Sequence, residues 1–111
     1  MATVTAKNLV ASKFLENAQT AQYTAQSVRA MIDKCTVTNV TATAATFSIN
    51  LVTTGTAATS NLIIKDVAVA AGQTYLCPEI VGHILESGGS ISTIASAANA
   101  LVFRVSGREV A

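Results

Sequence analysis

Residues 45–52 read Ala45-Thr46-Phe47-Ser48-Ile49-Asn50-Leu51-Val52. Phe47, Ile49 and Leu51 fall on one side of an extended chain and Thr46, Ser48 and Asn50 on the other, the period of a half-buried strand. Similar segments flank it. Upstream, Val28 to Thr38 (VRAMIDKCTVT) is rich in β-branched residues, which suit a pleated surface. Downstream, Thr53 to Ser60 is polar and expected as an exposed loop, after which Asn61 to Val69 (NLIIKDVAV) resumes a strand. Ala70 to Gln73 reads as a turn in which Gly72 is free to take positive φ, and it leads into Thr74 to Cys77 before Pro78 stops the ladder. Ser90 to Ser96 and Ala100 to Ser106 read as the last two strands, joined across Ala97-Ala98-Asn99, with Leu101, Phe103 and Val105 on one face. Between them and Pro78, the positions Ile80, Val81, Ile84 and Leu85 fit a short helix starting at the proline and ending before Gly88-Gly89, while Gly82 argues equally for irregular chain. Short strands divided by turns, with no long helices between them, point to an all-β fold: an antiparallel β-sandwich, jelly-roll-like.

At 111 residues and 11.4 kDa the chain is long enough for one two-layer core. Seven Lys and Arg against six Asp and Glu give +1 with no basic run, so the electrostatic footprint of a nucleic-acid or anionic-membrane binder is missing. Only 12% of residues are charged, about half the usual share, which predicts a surface that packs against other chains. No stretch approaches the ~18 apolar residues of a membrane span, and the first residues lack a signal-peptide core, so synthesis without secretion is expected. Cys35 and Cys77 are too few and too far apart in sequence for a disulfide framework or a zinc knuckle; two free thiols are expected, with a single bridge as the alternative. Asn39-Val40-Thr41 spells a glycosylation acceptor, which without a secretory route is a chance match.

Residues 1–20 read as an N-terminal arm, and 21–111 as the β-sandwich domain. Lys7, Lys13 and Glu16 concentrate charge in the arm, which also holds Leu9, Val10, Phe14 and Leu15. These four are the candidate interaction residues. Val10 and Phe14 could share a helix face, or the segment could be extended; so short a pattern does not decide. The arm is expected to dock on a neighbouring subunit, the alternative being that it covers an open end of its own sandwich.

Catalytic chemistry finds little to work with. His83 is the only histidine, no nucleophile motif accompanies it, and the six glycines form neither a phosphate loop nor a dinucleotide fingerprint. Cys77, Glu79, His83 and Glu86 are the nearest approach to a metal-ligand set, but a Glu and a His four apart are more often a solvated pair. No catalytic residue, cofactor or metal is expected. Asp33-Lys34 and Lys65-Asp66 lie inside strands, where one of each pair should point inward unless that face is exposed or meets a partner chain through salt bridges. The aromatics are scattered and there is no tryptophan, which argues against a base-stacking platform and against a sugar-binding face.

A resemblance adds to this reading. The runs Leu62-Ile63-Ile64-Lys65-Asp66-Val67, Ala71-Gly72-Gln73-Thr74-Tyr75, Pro78 to Gly88 (PEIVGHILESG), Ser90-Ile91, Ala95 to Leu101 (ASAANAL) and Val105 to Val110 (VSGREV) resemble small virion structural proteins of tailed phages. Over Tyr23 to Val110 the chain looks most like the capsid decoration, or staple, proteins of epsilon-fifteen-like short-tailed bacteriophages. The resemblance implies a jelly-roll-like domain on the outer capsid surface, made in the host cytoplasm, that pairs as a homodimer and clamps neighbouring major capsid protein subunits without catalysis. Related small β-rich proteins occur in phage necks and at tail or fibre attachments, and a carbohydrate-binding β-sandwich module is the alternative from another class.

Overall fold

The computed structural model describes residues 3–111, and its regular structure is almost entirely strand. The strands are β1 (Val4–Phe14), β2 (Thr20–Thr24), β3 (Arg29–Asn39), β4 (Ala45–Val52), β5 (Leu62–Val69), β6 (Thr74–Tyr75), β7 (Ile84–Leu85), β8 (Ser90–Ala95) and β9 (Leu101–Val110). One sheet, here sheet I, has the order β1-β9-β3-β6, with β7 also paired to β3; the other, sheet II, has the order β2-β8-β4-β5. Every pairing is antiparallel.

The order follows from folding one long antiparallel ribbon. β4 pairs with β5 at the ribbon's closed end, β3 with β6 and β7, β2 with β8, and β1 with β9 at the open end. Rolling that ribbon puts alternate pairs in opposite sheets, and β9–β3 and β8–β4 contacts close each layer, which is a jelly roll. The ribbon's hydrogen bonds continue through its corners. Where it passes from β1–β9 to β2–β8, Leu15 N–H donates to the Leu101 carbonyl and Ala95 N–H to that of Glu16. At the next corner Ala25 N–H donates to the Gly89 carbonyl and Gly88 N–H to that of Ala25. At the third, Asn39 N–H reaches the Gln73 carbonyl and Gly72 N–H that of Asn39. Left-handed residues sit where the chain must bend, among them Ser27, Asn99, Gly72 and Gly88.

The inner faces carry Phe47, Ile49, Ile64 and Ile91 from sheet II and Ile32, Val37, Phe103 and Val105 from sheet I, each at most 2% exposed. Packing is tight where β9 crosses β3. A Cβ on Gly107 would stand 2.0 Å from the Met31 carbonyl oxygen, so only glycine fits there.

The structure corrects one expectation and decides two that the residues left open. The division into an arm over 1–20 and a domain over 21–111 does not hold for the described residues, because β1 is the outermost strand of sheet I and belongs to the sandwich; residues 1 and 2 lie outside the described residues. Two register shifts, between Asn8 and Val10 and between Val10 and Lys13, break the alternation of β1 and let adjacent Leu9 and Val10 both be buried. No helix forms after Pro78: residues 78–82 are a series of turns with Gly82 at φ 90°, and the chain runs on as β7. Finally, neither Asp33-Lys34 nor Lys65-Asp66 sends a charge inward. A bulge between Ile32 and Lys34, and another where Asp66 turns to φ 49°, leave all four residues exposed.

Candidate interaction face

The four candidate residues have different fates. Leu9, Val10 and Leu15 are buried in the chain's own core, at 7%, 4% and 1% exposure, so the structure does not offer them to a partner. Phe14, the last residue of β1, is 43% exposed and points outward beside Val102.

Phe14 belongs to a larger surface, the outer face of sheet I, which the register lays out in rows. At one end lie Phe14, Val102, Thr38 and Thr74, the two threonine hydroxyls 2.9 Å apart. Next is Arg104 beside Thr36, and the register carried on past β6 brings Leu76 opposite Thr36. The Arg104 guanidinium donates to Ser12 Oγ at 3.0 Å and Asn8 Oδ1 at 2.9 Å, across β1. Lys34 and Ser106 form the middle row. Then come Ala6, Arg108, Met31 and Ile84, with Arg108 gripping Asp33 through two hydrogen bonds of 2.9 and 3.0 Å that the β3 bulge makes possible. Val4, Val110 and Arg29 complete the far end, Arg29 pairing with Glu86 at 2.8 Å.

Apolar side chains therefore frame a cationic centre. Val4, Phe14, Leu76 and Ile84 are 59%, 43%, 59% and 51% exposed and sit on the borders of this face. Arg29 and Arg108 are matched by carboxylates, whereas Arg104 and Lys34 have no carboxylate partner among the described residues. An arginine presented flat on a sheet, held by neutral side chains and free of an internal acid, is available to a carboxylate on another molecule.

The outer face of sheet II is different in kind. Ser48, Asn50, Ser92 and Ile94 lie there, partly covered by the 53–61 loop. Asn50 holds the loop by donating to the Ala58 carbonyl and to Asn61 Oδ1, and Asn61 in turn caps the Ala58 N–H. Gln19 donates to Ser92, and the Asp66 N–H donates to Ser48. These polar groups are engaged with one another, and among the described residues no buried side-chain polar atom is left without a partner.

The residues weighed for metal binding are dispersed. Glu79 accepts from the Tyr75 hydroxyl, whose pKa that bond pushes up to about 12, and Glu86 faces Arg29. His83 is exposed just after the turn, with its backbone N–H donating to the Ile80 carbonyl. Cys77 is buried in the core beside Cys35. Asn39, the first residue of the glycosylation-like triplet, is fully buried with both ends of its amide bonded to the chain.

The fold and its exposed face define the class: a jelly-roll β-sandwich that presents one amphipathic, cation-centred sheet surface. No protein-family model, curated protein or solved structure matches the chain.

Sequence reasoning missed this face because it is assembled by register. Arg104 is 92 residues from Ser12, and only the β1–β9 pairing joins them. The alternation in Val102-Phe103-Arg104-Val105-Ser106 was the one visible signal, since it sends Arg104 away from the core.

Proposed function

We propose that this protein is a non-enzymatic virion structural protein that lies on the outer surface of a phage capsid and clamps neighbouring major capsid protein subunits. The resemblance in the runs from Leu62 to Val110 supplies the phage assignment. The observation that carries the contact is the outer face of sheet I, where Val4, Phe14, Leu76 and Ile84 frame Arg104 and Lys34. Each of these half-exposed apolar side chains has roughly 1 kcal/mol still to gain on full burial, and Arg104 would add a charge-assisted bond to a capsid carboxylate. Contacts of this size, repeated by many copies over a shell, accumulate by avidity. The outer face of sheet II, whose polar groups are bonded to one another, is left toward solvent.

Adding the purified protein to capsids that lack it, followed by sedimentation, tests the reading. Saturable co-sedimentation is expected, with binding weakened at least tenfold by Arg104→Glu or Ile84→Asp, neither of which touches the core. Capsids that stay bare, together with binding to glycans, would replace it with the carbohydrate-binding alternative.

A further inference from the structure

The antiparallel register of β3 and β6 pairs Val37 with Tyr75 and Thr38 with Thr74. Continued two residues past the end of β6, the same register would set Cys77 opposite Cys35. Both side chains are 0% exposed and belong to one core cluster, where Cys77 is the neighbour that acts most strongly on the Cys35 thiol, while the Cys77 thiol itself donates to the Tyr75 carbonyl at 3.9 Å. Directly opposed residues on neighbouring strands have Cα atoms about 4.5–5.5 Å apart, inside the range that a disulfide spans. Cys77 has left-handed backbone at φ 48° and is followed by Pro78, so the chain leaves the sheet immediately after it.

We propose that Cys35 and Cys77 are an intramolecular cross-linking site, which a low-molecular-weight disulfide such as oxidised glutathione converts to a disulfide that fastens the 74–82 segment to β3. One cysteine gives up its proton and its sulfur attacks a glutathione sulfur, expelling a glutathione thiolate that takes the proton. The second cysteine then displaces the other glutathione from the mixed disulfide. Two protein thiols are thereby oxidised, and one glutathione disulfide is reduced to two thiols. The neighbouring Cys77 and burial hold the Cys35 thiol far above the ordinary range, so the reaction needs local opening. β6 supplies that opening: it pairs at only two positions and forms the sheet's edge. On reclosing, the nearest nucleophile to a mixed disulfide at either sulfur is the other cysteine, which favours the internal bond over a lasting glutathione adduct. The bridge would enclose the chain from β3 through β6, a long loop whose closure constrains the unfolded state strongly.

The test is incubation of the folded protein with excess oxidised glutathione, read by intact mass, non-reducing peptide mapping and thermal melting. The expected product is two hydrogens lighter, yields one peptide joining Cys35 to Cys77, and melts on the order of 10 °C higher. Reductant should reverse all three changes, and Cys77→Ser should show neither the mass loss nor the stabilisation. Glutathione adducts without an internal link, cross-links only between chains, two free thiols after incubation in urea just below the unfolding transition, or a linked product that melts lower would each overturn the proposal.

Discussion

Asn39 shows how much one buried side chain can organise. Its amide nitrogen donates to the carbonyls of Thr43 and Val69 at 2.8 and 2.9 Å, and its oxygen accepts from the Thr41 N–H and hydroxyl at 2.8 and 2.7 Å. The group thus ties the β3–β4 corner to the end of β5. Asn39→Leu keeps the branched outline but strips partners from groups that have little access to water, at a cost of roughly 1–3 kcal/mol for each one left buried. Urea titration should show a loss of about 3 kcal/mol or more, and a loss below 1 kcal/mol would mean that water replaces the amide. Tyr23 and Glu109 are one linked pair behind the pH dependence, beside Glu16 on the acid side and Tyr75 on the alkaline side. The Tyr23 hydroxyl donates to Glu109, which holds that carboxyl below its ordinary 4.5, with Lys7 assisting. As pH falls the unfolded chain takes up this proton first, so the stabilisation is present above about pH 4.5 and is lost as pH drops through the folded value. Burial, then the bond to Glu109, raises the Tyr23 phenol above its ordinary 10, so on the alkaline side stability is lost as pH rises past 10. Melting temperature against pH should fall on both sides, and Tyr23→Phe should shallow both slopes. Unchanged slopes in that variant would place the titrating groups elsewhere.

At the scale of elements, β1 matters most, because it supplies one whole edge of sheet I and the core residues Leu9 and Val10, with Leu15 directly after it. A chain beginning at Thr20 loses Leu9, Val10 and Leu15 from the interior, each worth roughly 1.5–3 kcal/mol when fully buried, together with the β1–β9 ladder. Since small domains are stable by only about 5–15 kcal/mol, such a chain should be unfolded. Far-ultraviolet circular dichroism checks this, and a folded, cooperatively melting truncated protein would restore the view of residues 1–20 as a separable arm. The contrast between β1 and β4 explains what was legible in the sequence. β4 lies between two partners without interruption in its pairing to β8, so its alternation survives in the residues and its bounds, Ala45 to Val52, match the expected strand. β1 has two bulges, each shifting the phase by one residue, and the resulting Leu9-Val10 and Phe14-Leu15 pairs look like clusters rather than a strand. The apolar spacing after Pro78 left helix and irregular chain open for a related reason: Ile80 is buried but Ile84 is 51% exposed, so their spacing is not one face of anything.

The whole molecule measures 49 × 26 × 19 Å, and its broad faces are large enough for a standard interface of about 800 Å² per partner. The resemblance implies pairing between copies, and open sheet edges would be the simplest place for it, but the structure offers none. All four edges are blunted: β1 is bulged twice and carries Lys7 and Lys13, β2 is short and bulged, β5 is bulged at Lys65-Asp66, and β6 and β7 have two residues each on either side of Pro78. Such edges resist strand addition. The free protein should therefore be a monomer at micromolar concentration in analytical ultracentrifugation. Two-fold pairing, if the capsid reading holds, is then a property of the particle: the shell holds copies side by side, and their side chains meet at the high effective concentration that this supplies. Val40, Ile63 and Val81 are exposed away from the rows of sheet I and are the apolar residues left for such contacts. A tight dimer in free solution would show that an edge does pair, and a particle structure in which every copy stands apart from its own kind would remove pairing altogether.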